Sequence, residues 1–205
     1  DLGGSLRNPA AFCNVVGFRP SPGRVPMVPD RSGYSPLPIM GPMARSVDDL
    51  GLLLSVMAGP DSRAALALAE PPAPFAELRP GVLGGLRVAA TEDLGFLPVE
   101  EPVRACFRTA IAQLAEQGAV VASAAPDLRL AQRVFPVLRA QQFVGAYRGL
   151  YQRAPDMLKD TVRWNIEQGL AATPEALADA AVGLATLRAR MVDFFGSHDV
   201  LLLPT

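Results

Sequence analysis

The sequence has few residues of the kind that metal and thiol chemistry use. It contains one His and two Cys among 205 residues, and Cys13 and Cys106 are 93 positions apart, which is no metal-binding spacing. Both cysteines have mostly apolar neighbours, so we expect reduced and buried thiols. This pattern favours an intracellular, cytoplasmic protein.

An excess of charge of one sign is also missing. Nineteen Lys and Arg face 20 Asp and Glu, so the formal net charge is -1. Without a basic cluster the chain lacks the electrostatic attraction that binding to nucleic acid or an anionic membrane would need. Lysine itself is nearly absent, because Lys159 is the single lysine of the sequence.

Long hydrophobic runs are absent as well. The longest, residues 50–59, has about half of the 18 or more residues that a membrane helix requires, so we predict no transmembrane span. Half of the residues are nonetheless hydrophobic, and 205 residues correspond to between one and two globular domains of roughly 150 residues each. The chain opens at Asp1 without Met and stops just after an apolar run at 200–203, which we interpret as an excised piece. The absence of a signal peptide here therefore says little about export.

The order of local patterns predicts four regions. Residues 1–45 are dense in Gly and Pro and should form turns and short extended segments. Residues 46–59 form an apolar-periodic helix, and residues 60–84, rich in Ala, Pro and Glu, a linker. Residues 85–205 hold an α/β and helical region.

Capping residues predict where two of the helices begin. Asn8 followed by Pro9 favours a short helix that runs to about Cys13, with Asn8 as its N-cap. Ser46 caps the next helix, whose first turn carries two aspartates that favour the positive end of the helix dipole.

The region from residue 85 onward follows the order strand, helix, strand. Apolar runs at 86–90 and 119–122 flank an amphipathic stretch at 102–117, which favours two parallel strands joined by a right-handed crossover. Three further helices are predicted at 128–150, 155–170 and 174–195, the last capped by Thr173, before a last strand at 200–203. We therefore expect an α/β protein with a mixed β-sheet covered by α-helices.

The segment 1–10, DLGGSLRNPA, contains the most specific chemical pattern. Two glycines before Ser5 allow a tight backbone path on which successive N–H groups converge and can hold an anion. If Ser5 attacks a carbonyl, these groups would lie where negative charge develops, and each such donor contributes a factor of about 100 to 1000 to acyl transfer. The donors would be the amides of Leu2, Gly3, Gly4 and Ser5.

This segment resembles the nucleophile motif of the amidase signature family, which runs Asp, any, Gly, Gly, Ser, aliphatic, Arg, any, Pro, small. Every one of these positions is filled in residues 1–10. The resemblance continues, in family order, through GFRPSPGRV at 17–25, GPMARSVDD at 41–49, GLRV at 85–88 and DVLLLPT at 199–205. It therefore extends over the whole chain.

The resemblance implies a serine hydrolase that acts on small carboxamides through a Ser, cis-Ser, Lys triad. By this likeness Ser5 is the nucleophile, the backbone of residues 2–5 forms the oxyanion hole, and Asp1 and Arg7 brace the loop. In the family, a neutral buried lysine takes the serine proton through the second serine. No cofactor and no metal is implied, nucleic acid is a partner only for an amidotransferase-like protein, and a homodimer is possible.

Two parts of the family's triad have no counterpart in this sequence. It contains no Gly-Ser-Ser-Gly loop, and Lys159 lies in an amphipathic helical stretch that matches no family motif. We interpret Lys159 as a solvated side chain. His198 beside Asp199 forms only a superficial Ser, His, Asp set, because adjacent residues entering a strand point to opposite sides.

Several other residues have both a functional and a structural interpretation. Arg19 and Arg24 either orient a substrate carboxylate or, as we favour, brace a loop. Arg45 and Asp48 are best explained as charge compensation at a helix start. Gly84 and Gly85 precede a strand that a dinucleotide loop should follow, so we discard a nucleotide site.

Aromatic side chains form a stripe in the helical region. Phe143, Tyr147 and Tyr151 are spaced by four residues and share one helix face, which either lines an acyl channel or packs in the core. Core packing is the default for such a stripe, and Trp164 receives the same interpretation.

Three functions remain open. The first is an amidase that forms an acyl-enzyme on Ser5. The second, also from the family, is the ammonia-releasing component of a glutamine-dependent amidotransferase, which frees ammonia for tRNA-bound substrates inside a larger complex. The third is a non-catalytic homologue or binding module that keeps the loop for structure.

Overall fold

The computed structural model describes residues 1–28, 34–35 and 37–205. The chain divides into two compact units. Unit 1 comprises residues 1–80, 142–166 and 205, and unit 2 comprises residues 81–141 and 167–204. The chain first passes from unit 1 to unit 2 within the predicted linker at 60–84.

Unit 1 begins with a helix and a small sheet. Helix α1 spans Arg7–Cys13, and strands β1 (Val16–Gly17) and β2 (Met43–Ala44) pair antiparallel, with Val16 opposite Ala44. Asn14 ends α1 in a left-handed conformation, φ 52°, from which its N–H donates to the last carbonyls of the helix. The chain then turns back so that β1 lies against α1.

Helix α2, Val47–Met57, follows the small sheet in unit 1. The Ser46 hydroxyl accepts the N–H of Asp49 at 3.1 Å, which confirms the predicted cap. The buried residues Leu50, Gly51 and Leu54 lie on one face of the helix. A short 3₁₀ turn at Ala73–Phe75 packs near α2, and Gly51 allows the close approach of Leu78.

The start of α1 differs from the sequence expectation. The N-cap is Leu6 and Asn8 lies inside the first turn, so the prediction of Asn8 as N-cap is wrong. The N–H of Asn8 donates to the Gly4 carbonyl at 2.8 Å, a helical bond formed before the predicted start. Because the Gly4 carbonyl accepts this bond, helical bonding begins earlier than the cap signal of Asn8 indicates.

Unit 2 is built on a three-stranded parallel sheet. Strands β3 (Arg87–Ala90), β4 (Val120–Ser123) and β5 (Val200–Leu202) lie in the order β4-β3-β5. Helix α3, Glu101–Glu116, connects β3 to β4, so the predicted strand, helix, strand unit is confirmed. The central strand is the most buried, with Val88 1% and Ala89 0% exposed.

The remaining helices are α4 (Ala131–Arg153), α5 (Asp160–Ala171) and α6 (Pro174–Phe195). Both α4 and α5 contribute residues to each unit. Residues Pro155–Met157 form a 3₁₀ turn, so α5 begins five residues later than predicted. The predicted cap of α6 is confirmed, because the Thr173 hydroxyl accepts the N–H of Ala176 at 3.2 Å.

The α/β class is confirmed, and the parallel and antiparallel pairings belong to two separate sheets. In the described part of the chain no single helix has the length and apolar character to cross a bilayer; α5 and α6 meet that requirement only as a pair bent by 103°.

Cys13 and Cys106 are both exposed, so the prediction of buried thiols is wrong. The prediction is wrong for Cys106 because this residue lies on the exposed face of α3. The face that turns inward carries Phe107, Ile111 and Leu114.

Candidate active site

The carboxylate of Asp1 is the centre of the loop that carries Ser5. Its side chain is fully buried, with 0% exposure. Oδ1 accepts the N–H of Gly4 at 2.8 Å and Oδ2 accepts the N–H of Leu6 at 3.3 Å. Arg7 donates from Nε to Oδ2 and from Nη2 to Oδ1, each at 3.1 Å. This bidentate pair and the two amide bonds close residues 1–7 into a ring around one anion.

Backbone bonds hold the beginning of this ring against a distant segment of unit 1. The Ile39 N–H donates to the Asp1 carbonyl at 3.0 Å, and the Asp1 main-chain nitrogen donates to the Ile39 carbonyl. Nearby, Arg19 donates from Nη2 to the Leu37 carbonyl at 2.8 Å. Burial, together with the positive charge of Arg7, lowers the pKa of Arg19 below its ordinary value.

The two arginines with open interpretations both have structural contacts. Arg19 makes the carbonyl bond just described, which agrees with loop bracing. Arg24 forms an ion pair with Glu70 at 3.1 Å and lies over the Phe75 ring, 5.3 Å from its centroid. Both contacts stabilise unit 1.

Gly4 has a backbone conformation that L side chains rarely adopt. Its φ is +118°, and a Cβ added there would lie 2.8 Å from both Nδ2 and Oδ1 of Asn8. Any other residue at this position would therefore be strained by its φ, and its Cβ would displace the exposed Asn8 side chain. The requirement for glycine is thus conformational first, and the contact with Asn8 is a second, smaller cause.

Close packing behind the loop also depends on glycine. A Cβ on Gly17 of β1 would lie 2.7 Å from the Cβ of Ala10 and 2.8 Å from the Leu6 carbonyl oxygen. Leu6 and Ala10 are themselves buried. The small sheet therefore supports α1 directly behind the loop.

Ser5 lies on the outside of this loop. It is exposed, whereas its neighbours Gly4 and Leu6 are buried. The ring around Asp1 turns the preceding amide inward and leaves the Ser5 side chain open to an approaching molecule. This orientation is the one that a nucleophile needs.

The four amides expected to converge divide into two groups. The N–H of Gly4 donates to Asp1, as described above. Among the described residues, the N–H groups of Leu2, Gly3 and Ser5 donate no hydrogen bond to the protein. These three amides are the candidate donors to a developing oxyanion.

The side chains that we considered as a base for Ser5 contact other groups or lie in solvent. His198 lies in unit 2, with Nδ1 3.1 Å from the Phe194 carbonyl and its ring stacked on Phe194 at 4.5 Å. Asp199 forms an ion pair with Arg87 at 2.6 Å. Lys159 is exposed beside the start of α5. These contacts agree with our rejection of His198 and with a solvated Lys159.

The aromatic stripe is only partly packed. Phe143 and Tyr147 are in ring contact, with centroids 5.8 Å apart, but Tyr147 is 42% exposed. Trp164 is 55% exposed. The prediction of core packing is therefore wrong for Tyr147 and Trp164, because their helices present these side chains at the surface.

The structure combines an α/β fold with an exposed serine on a Gly-Gly turn, and a buried Asp and an Arg brace this turn. This combination agrees with the resemblance to the amidase signature family. A model of the Amidase family matches residues 1–205. The chain therefore belongs to the amidase signature family.

Individual relatives agree with this assignment. An amidase of Pseudomonas putida is 30% identical over 209 residues, which cover 100% of this chain and 44% of the relative. An acylamidase of Rhodococcus erythropolis is 35% identical over 127 residues, which cover 62% of this chain and 27% of the relative. Glutamyl-tRNA(Gln) amidotransferase components are also matched, and the one of Deinococcus radiodurans is 34% identical over 100% of this chain and 47% of its own length.

A solved structure agrees with the sequence relatives. The structure of a bacterial aryl acylamidase of the amidase signature family aligns with a TM-score of 0.87 and 26% identity. The alignment covers 100% of this chain and 44% of that one. The chain thus spans less than half the length of these relatives.

Sequence reasoning did not identify two contributors to this site. Ile39 holds the beginning of the loop through its backbone alone, for which the sequence carries no signal. Asn8 carried a signal that was assigned to the wrong role, because a short polar residue beside Pro9 is typical of a helix cap.

Proposed function

We propose that this chain carries the nucleophile and oxyanion loop of an amidase, a hydrolase of carbon-nitrogen bonds in linear amides. Ser5 Oγ attacks the carboxamide carbon and forms a tetrahedral adduct. The amides of Leu2, Gly3 and Ser5 stabilise the negative oxygen. The C–N bond then breaks, the amine leaves with a proton, and water hydrolyses the resulting ester on Ser5.

A serine hydroxyl is a weak nucleophile at neutral pH, so this mechanism needs a base. The family resemblance implies a neutral lysine that acts through a second serine, and neither lies in the motifs of residues 1–205. We propose that the working enzyme joins this chain to a segment carrying both residues. The activity belongs to that whole protein.

One observation carries the proposal: the buried Asp1 carboxylate holds the Gly4 amide and Arg7, while Ser5 remains exposed. The φ of +118° requires glycine at position 4, directly before the exposed hydroxyl, so the path of the loop is specified at the residue next to Ser5.

The direct test is labelling of the full-length protein with a fluorophosphonate, followed by mapping of the modified peptide. We expect a single adduct on Ser5, and we expect Ser5→Ala to abolish both labelling and amide hydrolysis. Because one small exposed side chain replaces another, the thermal midpoint should remain within about 2 °C of the parent's. An adduct elsewhere, or turnover by Ser5→Ala, would contradict the proposal, and an unlabelled, inactive parent would indicate a non-catalytic homologue.

The amidotransferase alternative is favoured by a specific observation, since several relatives matched over this chain are components of glutamyl-tRNA(Gln) amidotransferases. Under this alternative, ammonia released from glutamine would pass to a tRNA-bound substrate. Co-purification of the native protein with two other polypeptides, and glutaminase activity that depends on them, would support it. A protein active on simple amides without partners would count against it.

A further inference from the structure

Asn8 contacts Gly4 through both its backbone and its side chain. Its N–H donates to the Gly4 carbonyl at 2.8 Å. Its carboxamide covers the α-carbon of Gly4 so closely that a Cβ there would lie 2.8 to 2.9 Å from Nδ2, Oδ1 and Cγ. Asn8 is otherwise exposed, so this contact is not a by-product of core packing.

Gly4 is thereby held from three directions. Its N–H donates to the Asp1 carboxylate at 2.8 Å, its carbonyl accepts the N–H of Asn8, and its α-carbon lies under the Asn8 carboxamide. The planar peptide unit after Gly4 carries both the Gly4 carbonyl and the Ser5 N–H. The bond from Asn8 to this carbonyl therefore also determines the direction of the Ser5 amide.

We propose that Asn8 is a positioning residue for the nucleophile loop, which acts by keeping Gly4 in its left-handed conformation. This inference rests on the proposed function of Ser5. Asn8 does not take part in the chemical step. Its carboxamide closes the space into which the Gly4 backbone would otherwise relax, so the Ser5 amide keeps the direction that an oxyanion requires.

This role predicts an effect on turnover and not on substrate affinity. A loop that is free to relax misplaces donors that matter only in the transition state. Asn8→Ala should therefore lower kcat about tenfold and change KM by less than about twofold.

The decisive experiment is a double-mutant cycle of Asn8→Ala and Gly4→Ala in the full-length enzyme. Gly4→Ala should lower kcat by about 100-fold, because the new Cβ is strained by its φ and collides with the Asn8 carboxamide. Asn8→Ala removes all three colliding atoms. It should therefore raise kcat severalfold in the Gly4→Ala background while lowering it in the parent.

Matched controls separate this contact from general effects of the same substitutions. Gln132→Ala removes an exposed carboxamide from the second position of α4, as Asn8→Ala does from α1. Gly145→Ala adds a Cβ where no atom lies within 4 Å. We expect both controls to leave kcat and KM within about twofold of the parent's.

The reversal of sign between the two backgrounds supports the proposal. Effects of Asn8→Ala that are equal in both backgrounds would overturn it, since the contact would then not matter. A rise in KM with unchanged kcat would also overturn it and would make Asn8 a substrate contact instead.

Failure of the proposed function has a different signature. If the parent protein is not labelled at Ser5, the proposed function fails whatever the cycle shows. Unfolding midpoints of the same four proteins then still test the contact between Asn8 and Gly4, because the two substitutions should partly compensate one another.

Discussion

At the residue scale, the buried carboxylate of Asp1 determines the shape of the candidate site. Four donors converge on it, two from the backbone and two from Arg7. Hydrogen bonds to a charged group contribute about 1.5 to 3 kcal/mol, roughly twice the contribution of neutral ones. The loop is therefore organised by an acceptor that does not itself touch a substrate.

Replacing this acceptor tests that view. Asp1→Asn keeps the shape of the side chain but turns an NH₂ group toward N–H donors, so we expect a loss of about 1 to 3 kcal/mol in the free energy of unfolding. We also expect kcat to fall at least tenfold, since the Gly4 amide loses its anchor. Denaturant unfolding and steady-state kinetics of the full-length protein measure the two effects.

Asp61→Asn is the matched control for this prediction. Asp61 also accepts a backbone N–H and a guanidinium, both from Arg63, but it lies outside the Ser5 loop. Its replacement should affect stability and leave kcat unchanged. Equal losses of kcat in both variants would show that Asp1 contributes only to general stability.

At the scale of elements, an ion pair joins the beginnings of two parallel strands in unit 2. Arg87 precedes Val88 of the central strand, and Asp199 precedes β5. Hydrogen bonds from the Arg87 side chain and backbone lower the pKa of Asp199 from 3.8 to about 2. The pair therefore stays charged far into the acidic range.

This shift has a definite consequence for stability. The native state binds the Asp199 proton more weakly than the unfolded chain does, so the stabilisation is present above about pH 4 and lost as the pH falls toward 2. Asp199→Asn should lower the thermal midpoint at pH 7, and the difference from the parent should disappear near pH 2. Asp179→Asn, an exposed carboxylate on α6, serves as the control. A difference that does not depend on pH would contradict the assignment.

Elements whose signals are local could be predicted from the sequence. Ser46 and Thr173 cap α2 and α6 as predicted, because a cap needs only the next three residues. The start of α1 could not be predicted, because it depends on the left-handed turn at Gly4, which competes with the cap signal of Asn8. The exposure of Tyr147 and Trp164 depends on packing between distant segments, which periodicity does not encode.

The candidate site also has features that the sequence predicts and features that only the folded structure shows. The roles of Ser5, Asp1 and Arg7 come from a resemblance that the family match supports, and they remain predictions as catalytic assignments. The allocation of the Gly4 amide to Asp1 requires coordinates, because four successive N–H groups look equivalent in a sequence.

At the scale of the whole molecule, the chain matches less than half of its relatives' length. We predict that residues 1–205 expressed alone release no amine from simple amides, because no base for Ser5 is among the family motifs that they contain. The measurement is amine release by the purified chain beside the full-length protein. Equal rates would show that a residue within 1–205 serves as the base.

The order of the strands in unit 2 has a consequence for how the chain folds during synthesis. Strand β3 pairs with β5, whose residues follow about 110 positions later, so this edge of β3 stays open until residues 200–202 have left the ribosome. An unpaired strand edge is a template for association with other chains. Nascent chains that stall between β3 and residue 200 would therefore be prone to aggregation, and a chaperone that covers this edge would be needed until β5 has emerged.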